Sequence, residues 1–158
     1  MAFDGIVIAN LAKELNHKLA DGRITKIAQT ESDKLLLTIK KSISSPEQKT
    51  IRTQNRLVIS VNPSLPLLYL TQENQNAPLQ APTFCMVLRK HLNNCKINLI
   101  EQIGLERVLC MHLEHLNEMG DYCRKKLYIE LMGKHSNIIF CDENDQIIDS
   151  IKHISALV

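Results

Sequence analysis

The chain has 158 residues, of which 44% are hydrophobic and 23% charged, enough apolar material for one packed core and too much for a wholly disordered tail. Its 19 Lys and Arg against 17 Asp and Glu leave a net charge of +2, which does not identify a nucleic-acid partner, because phosphate binding needs a local cluster of cations. The absence of Trp, with only three Tyr and three Phe, argues against an aromatic platform for stacking single-stranded bases.

The first segment carries the signature of a helix. Asp4 can cap it by accepting from otherwise orphaned N–H groups, and Phe3 and Ile8 stand at the positions of a hydrophobic staple. Ile8, Leu11, Ala12, Leu15 and Leu19 then recur at helical spacing before a stop at Gly22. A hairpin of strands 23–30 and 34–41 is expected around Ser32-Asp33, followed by a polar, loop-like stretch over 42–49. Residues 56–61 alternate, with Leu57, Ile59 and Val61 on one face, and a turn at Asn62-Pro63-Ser64 leads to a short strand at 67–71.

Residues 72–82, rich in Gln, Asn and Pro, form an exposed loop, and Pro82 suits the first turn of a second helix. There Phe84, Val87, Leu88, His91 and Leu92 share a stripe, while Arg89 and Lys90 leave on the polar side. Strands are then expected at 96–103, 107–113, 125–132, 137–142 and 146–153, separated by turn signals at Gly104, 117–121, Gly133 and 143–145. Leu127, Ile129 and Leu131 share one face with Tyr128 and Glu130 opposite, the alternation of a sheet wet on one side. Eight or nine mainly antiparallel strands with two helices predict an α+β domain built as a β-sandwich. One domain is expected over 1–158, and its apolar ending at Ser155-Ala156-Leu157-Val158 predicts a fragment of a longer, multidomain protein.

Chemistry is sparse. Cys85, Cys95, Cys110, Cys123 and Cys141 are odd in number and contain no C-x-x-C pair, which fits neither a disulfide framework nor a structural zinc site. Met1-Ala2-Phe3-Asp4 is neither a basic segment nor an apolar one, and no apolar run approaches the ~20 residues that cross a bilayer. A cytoplasmic chain with reduced thiols and no membrane contact is expected. G-x-S-x-G, Walker, G-x-G-x-x-G and H-E-x-x-H motifs are all missing, so no catalytic residues, cofactor or small-molecule substrate are expected. His112 and His115, three apart in one strand, should face opposite sides and hold no metal together. His91 reads as a core histidine and Met86 and Met111 as core fillers. The cations Arg89, Lys90, Arg107, Lys134 and His135, taken singly, read as solvated faces, and Glu106-Arg107 as an exposed turn pair of small energetic value.

Several stretches taken together say more: Phe3-Asp4-Gly5, Gly22-Arg23-Ile24-Thr25-Lys26-Ile27, the helix 84–92, Gly104-Leu105-Glu106-Arg107, and Glu130-Leu131-Met132-Gly133-Lys134-His135-Ser136-Asn137-Ile138-Ile139. In this order they resemble the N-terminal domain of the NFACT family of RqcH, NEMF and fibronectin-binding protein A, over nearly the whole chain, with 42–49 outside the match. The resemblance implies a fold similar to the N-terminal domain of formamidopyrimidine-DNA glycosylases. Those enzymes attack through an N-terminal proline, which Met1-Ala2-Phe3-Asp4 does not supply, so base excision is not expected. The family implies an adaptor, not an enzyme, that binds large ribosomal subunits obstructed by a stalled nascent chain. It recruits aminoacyl-tRNA, alanyl-tRNA in bacterial members, for C-terminal tailing. Its tRNA-recruiting positions, an acidic residue near the N-terminus and an Asp-Arg pair at a strand start, fall on Asp4, Glu106 and Arg107, with Glu106 carrying the carboxylate one methylene further out. Arg89, Lys90, Lys134 and His135 are added as contacts to an RNA backbone. The family's older name implies the alternative of a fibronectin-binding module at the cell surface.

Overall fold

The computed structural model describes residues 4–44, 46–47 and 49–153. Helix α1 (Gly5–Leu19) begins where expected: Asp4 is extended, and its carboxylate accepts from the Val7 N–H at 2.8 Å. Ile8, Ala12, Leu15 and Leu19 are buried, as the 3.6-residue spacing requires. The staple partner Phe3 lies outside the described residues, as does the apolar ending. At the other end the left-handed residue is Asp21 (φ 69°) rather than Gly22. Gly22 is needed for space instead, since a Cβ there would come within 2.9 Å of the Leu19 oxygen and of Ile39 Cγ2.

The strands β1 (Arg23–Glu31), β2 (Lys34–Ser44), β3 (Thr50–Ser60) and β4 (Leu67–Thr71) precede α2 (Thr83–Leu92). Then follow β5 (Lys96–Gln102), β6 (Val108–Leu116), β7 (Tyr122–Glu130), a 3-10 turn at Gly133–His135, β8 (Asn137–Asp142) and β9 (Ile147–Ser150). All neighbours are antiparallel, in one nine-stranded sheet of order β4-β3-β2-β1-β5-β6-β7-β8-β9. The antiparallel strands and the two helices are as expected, and the sandwich is formed by one continuous sheet. Its β1–β5 seam is short, with four backbone hydrogen bonds joining residues 21–24 to 94–97 around the Arg23–Lys96 pair, and it divides the sheet into two halves that enclose one core. Leu35, Leu37 and Leu57 enter that core from one half and Ile97, Leu109, Leu127 and Phe140 from the other, with Ile8, Leu15 and Leu88 from the helices. Lys152, just past β9, donates to the Val61 carbonyl just past β3, so strands far apart in the sheet order meet by curling. Ala28, Leu36 and Val58, aligned in register, make a smaller cluster on the opposite face of the first half.

Several boundaries move: β6 runs on to Leu116, β7 starts at Tyr122 and β9 ends at Ser150. The expected loop at 42–49 is in part strand, because β2 and β3 stay paired to Ser44 opposite Thr50. Ser42, Ile43, Ser44 and Thr50 are all exposed, so no buried face imposes a readable alternation. Pro82 sits at the N-cap position of α2 with extended geometry, one residue before the first turn. All five cysteines are free thiols, and burial pushes Cys95 and Cys110 up to about 12. Among the described residues no helix is long and apolar enough to cross a membrane.

Candidate functional site

The β5–β6 connection is a tight turn. Gly104 takes up a left-handed conformation (φ 57°), and the Ile103 N–H donates to Val108 O at 2.9 Å while the Glu106 N–H donates to Ile103 O at 3.1 Å. From the end of β5 the Gln102 amide reaches across this turn: its Nε2 donates to Glu106 O at 2.8 Å and to Gly5 O at 2.9 Å. One side chain, 97 positions from Gly5 along the chain, thereby ties the N-terminus of α1 to this turn. The approach is close enough that a Cβ on Gly5 would lie 2.6 Å from the Leu105 carbonyl oxygen. Asp4, Glu106 and Arg107 are brought together by these contacts, with all three side chains exposed.

Each arrives with a different freedom. Asp4 is partly engaged by its cap to Val7, whereas the Glu106 and Arg107 side chains form no hydrogen bond or ion pair among the described residues. The Arg107 backbone is nonetheless fixed, its carbonyl accepting from the Leu131 N–H at 3.0 Å. Half-buried Glu130, just before Leu131, has its carboxyl pushed up by burial and secondarily by the Glu106 carboxylate. Ile6 (75% exposed) and Leu105 (89% exposed) add an apolar rim. A free guanidinium fork on a rigid turn suits a phosphate or a base edge, and the carboxylates can accept from amino groups.

The remaining cations divide. Lys134 and His135 lie exposed in the 3-10 turn that follows Leu131, at the same end of the sheet as Arg107. The second-helix pair lies elsewhere. Arg89 Nε donates to the Ile27 carbonyl at 2.8 Å. Lys90 lines a shallow depression of about 420 Å³ with His91, His115, Leu116 and Lys125, at the far end of β6. Nine residues of strand, roughly 27 Å, separate that end from Arg107. The four cations named as RNA-backbone contacts thus fall into two separate groups.

His91 is half-buried with its ring centroid 5.6 Å from that of Phe140, and burial pulls its pKa, like that of His115, below the usual histidine value. His112 pairs with Glu101 at 2.7 Å, away from the depression that His115 lines, as their odd spacing requires. Among the described residues no group of three or more His, Cys, Asp and Glu is placed to hold a metal ion. Sequence reasoning missed Gln102. A glutamine at a strand end has no pattern to mark it; only the closeness of the Gly5 backbone reveals its role.

Residues 4–157 match the family model for NFACT N-terminal and middle domains. The chain is 40% identical over 156 residues to the Rqc2 homolog RqcH of Bacillus subtilis (strain 168), covering 98% of this chain and 26% of that protein. It is 38% identical over 155 residues to RqcH of Streptococcus pneumoniae serotype 2 (strain D39), with the same coverage of 98% and 26%. It therefore spans about a quarter of the length of these curated relatives. Its fold is similar to the crystal structure of the N-terminal domain of the fibronectin-binding protein PavA from Streptococcus pneumoniae, with a TM-score of 0.86 and 37% identity, over 98% of this chain and 55% of that one.

Proposed function

The chain belongs to the NFACT family, and on that premise we propose that it is the N-terminal domain of a longer cytoplasmic adaptor in ribosome-associated quality control. It helps recruit aminoacyl-tRNA, alanyl-tRNA by family analogy, to large ribosomal subunits obstructed by a stalled nascent chain, so that a C-terminal tail is added. The ribosome makes the peptide bond, so this domain positions rather than catalyses. The observation that supports the reading is the convergence of Asp4, Glu106 and Arg107 on one exposed ledge held by Gln102. Arg107 contacts tRNA through its guanidinium, Glu106 and Asp4 accept from amino groups, and Lys134 and His135 extend the contact along the backbone.

The test is the double variant Glu106→Ala, Arg107→Ala in the parent polypeptide. An exposed pair contributes roughly 0–1 kcal/mol to folding, so the melting temperature should hardly move. Loss of a bidentate contact is worth ~1–3 kcal/mol, or about 5- to 150-fold in tRNA affinity. Association with large subunits should persist while bound tRNA and tailing disappear, and Glu106→Asp should be tolerated. Full tRNA occupancy and tailing in the double variant would show that the pair is only a solvated turn.

The similarity to PavA favours a second reading, a fibronectin-binding module at the cell surface. Cell fractionation separates the two: co-sedimentation with ribosomal subunits supports the adaptor, and display on the surface supports the adhesin.

A further inference from the structure

At the far end of the core, between α2 and the β6–β7 turn, basic side chains take over the inward positions. Along β6 the inward residues Leu109, Met111 and Leu113 are buried in the core, and the next of that series is His115. Along β7 the series runs back from Ile129 and Leu127 to Lys125 and then Cys123, which stands directly opposite His115. The last turn of α2 adds Lys90 and His91. Together these side chains line the depression of about 420 Å³. Among the described residues that line it, Glu118 in the β6–β7 turn carries the one carboxylate.

The cations here have no counter-charge. Among the described residues neither Lys90 nor Lys125 is within ion-pair distance of a carboxylate. Lys125 Nζ instead lies 3.3 Å from His115 Nε2, while His115 Nδ1 lies 3.3 Å from the Leu116 carbonyl. A carbonyl can only accept, so Nδ1 carries the proton and Nε2 accepts from the lysine: a neutral ring holds the ammonium. Burial first, then the charges of Lys125, Lys90 and His115, pulls His91 below the usual histidine value. Burial also lowers His115, with Lys125 adding to it against the Leu116 hydrogen bond. Cations in the last turn of a helix answer its dipole, which accounts for Lys90 and His91. It does not account for a histidine and a lysine turned toward them from two strands.

We propose that this niche is a binding site for a phosphate dianion, with Lys90 and Lys125 supplying the charge and His91 and His115 the hydrogen bonds. The anion replaces His115 as the partner of the Lys125 ammonium, and the freed Nε2 takes a proton from water and donates it to a phosphate oxygen. His91 protonates in the same way, because the anion favours the charged ring. Binding therefore takes up protons near neutral pH. The groups that face the anion are Lys90 and His91 from α2, His115 from β6, Glu118 from the turn, and Cys123 and Lys125 from β7. The site lies at the opposite end of β6 from Arg107 and stands independently of the tRNA reading.

The test follows the histidine ring resonances of the 158-residue chain by NMR, with calorimetry to count protons. Inorganic phosphate, sulfate, and one RNA oligonucleotide with and without a 5′-phosphate are added in turn. Saturable shifts are expected at His91 and His115, with His112 and His153 unmoved. Sulfate keeps both charges across the neutral range, so its affinity should fall as pH rises through the histidine range, with net proton uptake. Lys90→Gln and Lys125→Gln should each weaken binding by about tenfold or more, the worth of one charged hydrogen bond, whereas Lys13→Gln on exposed α1 should not. Lys90 is exposed, so its variant decides the matter even where Lys125→Gln disturbs the end of β7. Tighter binding of the 5′-phosphorylated RNA than of inorganic phosphate supports the site with an RNA end as its ligand; equal binding supports it with free phosphate. Shifts that do not saturate, that spread evenly over the exposed histidines, or that survive both lysine variants overturn the site.

Discussion

Replacing Gly5 by Ala tests the convergence that defines the site. In an ordinary helix this change stabilises, by up to ~1 kcal/mol, since alanine gives up less backbone freedom on folding. Here the new Cβ would sit 2.6 Å from the Leu105 oxygen, where ordinary contact begins at 3.4 Å, so α1 and the β5–β6 turn must separate by about 0.8 Å. Both obstacles are backbone, and the turn is held by the Ile103–Val108, Leu131–Arg107 and Gln102 hydrogen bonds, so neither side yields freely. Overpacking costs ~1–3 kcal/mol, and stretching the Gln102 bridge costs a further ~0.5–1.5 kcal/mol for each bond lost. Set against the helix gain, the net expectation is a loss of about 1–2 kcal/mol. For a domain of this size that lowers the melting temperature by about 3–7 °C. Calorimetry on the purified chain gives the stability, and tRNA occupancy in the parent polypeptide should fall in parallel because the ledge is displaced. Gly120→Ala is the control: no atom lies within 4 Å of its Cβ, its φ of +82° brings strain alone, and tRNA occupancy should be untouched. A Gly5→Ala protein as stable as wild type, or more so, would refute the close approach on which the site depends.

Asp4→Ala should cost ~1 kcal/mol through the lost Val7 cap and also lose tRNA, whereas Asp4→Ser should restore the cap and the melting temperature without restoring recruitment. Glu130→Gln should stabilise at neutral pH. Burial, with the Glu106 carboxylate second, raises the folded-state carboxyl of Glu130 above its unfolded value, so the native state binds the extra proton and stability falls as pH rises through that window. The advantage of Gln should therefore be present at pH 7 and vanish by about pH 3, below the unfolded glutamate value of ~4.3, where the carboxyl is protonated in both the folded and the unfolded chain. Equal melting-temperature differences at the two pH values would contradict this assignment.

Local chemistry alone determined the helices and most of the strands. The α1 cap and stripe needed only Asp4 and the recurrence from Ile8 to Leu19, because capping and amphipathic spacing act within a few residues. The period-two alternation of Leu57, Ile59, Leu127 and Ile129 was readable because one face of each strand is buried. The paired extension of β2 and β3 was hidden for the converse reason: Ser42, Ser44, Thr50 and Arg52 are exposed, and their pairing comes from the register of the hairpin rather than from burial. Whether nine strands make two sheets or one depends on the short seam around Arg23 and Lys96, a set of long-range contacts that no local pattern encodes. The site divides along the same line. Asp4, Glu106 and Arg107 could be named from motifs, but their meeting depends on Gln102 reaching Gly5, and the separation of Lys90 from Arg107 depends on the length and direction of β6. Residue types and short-range spacing set what each segment can form; only packing across the sheet decides which distant segments share a surface.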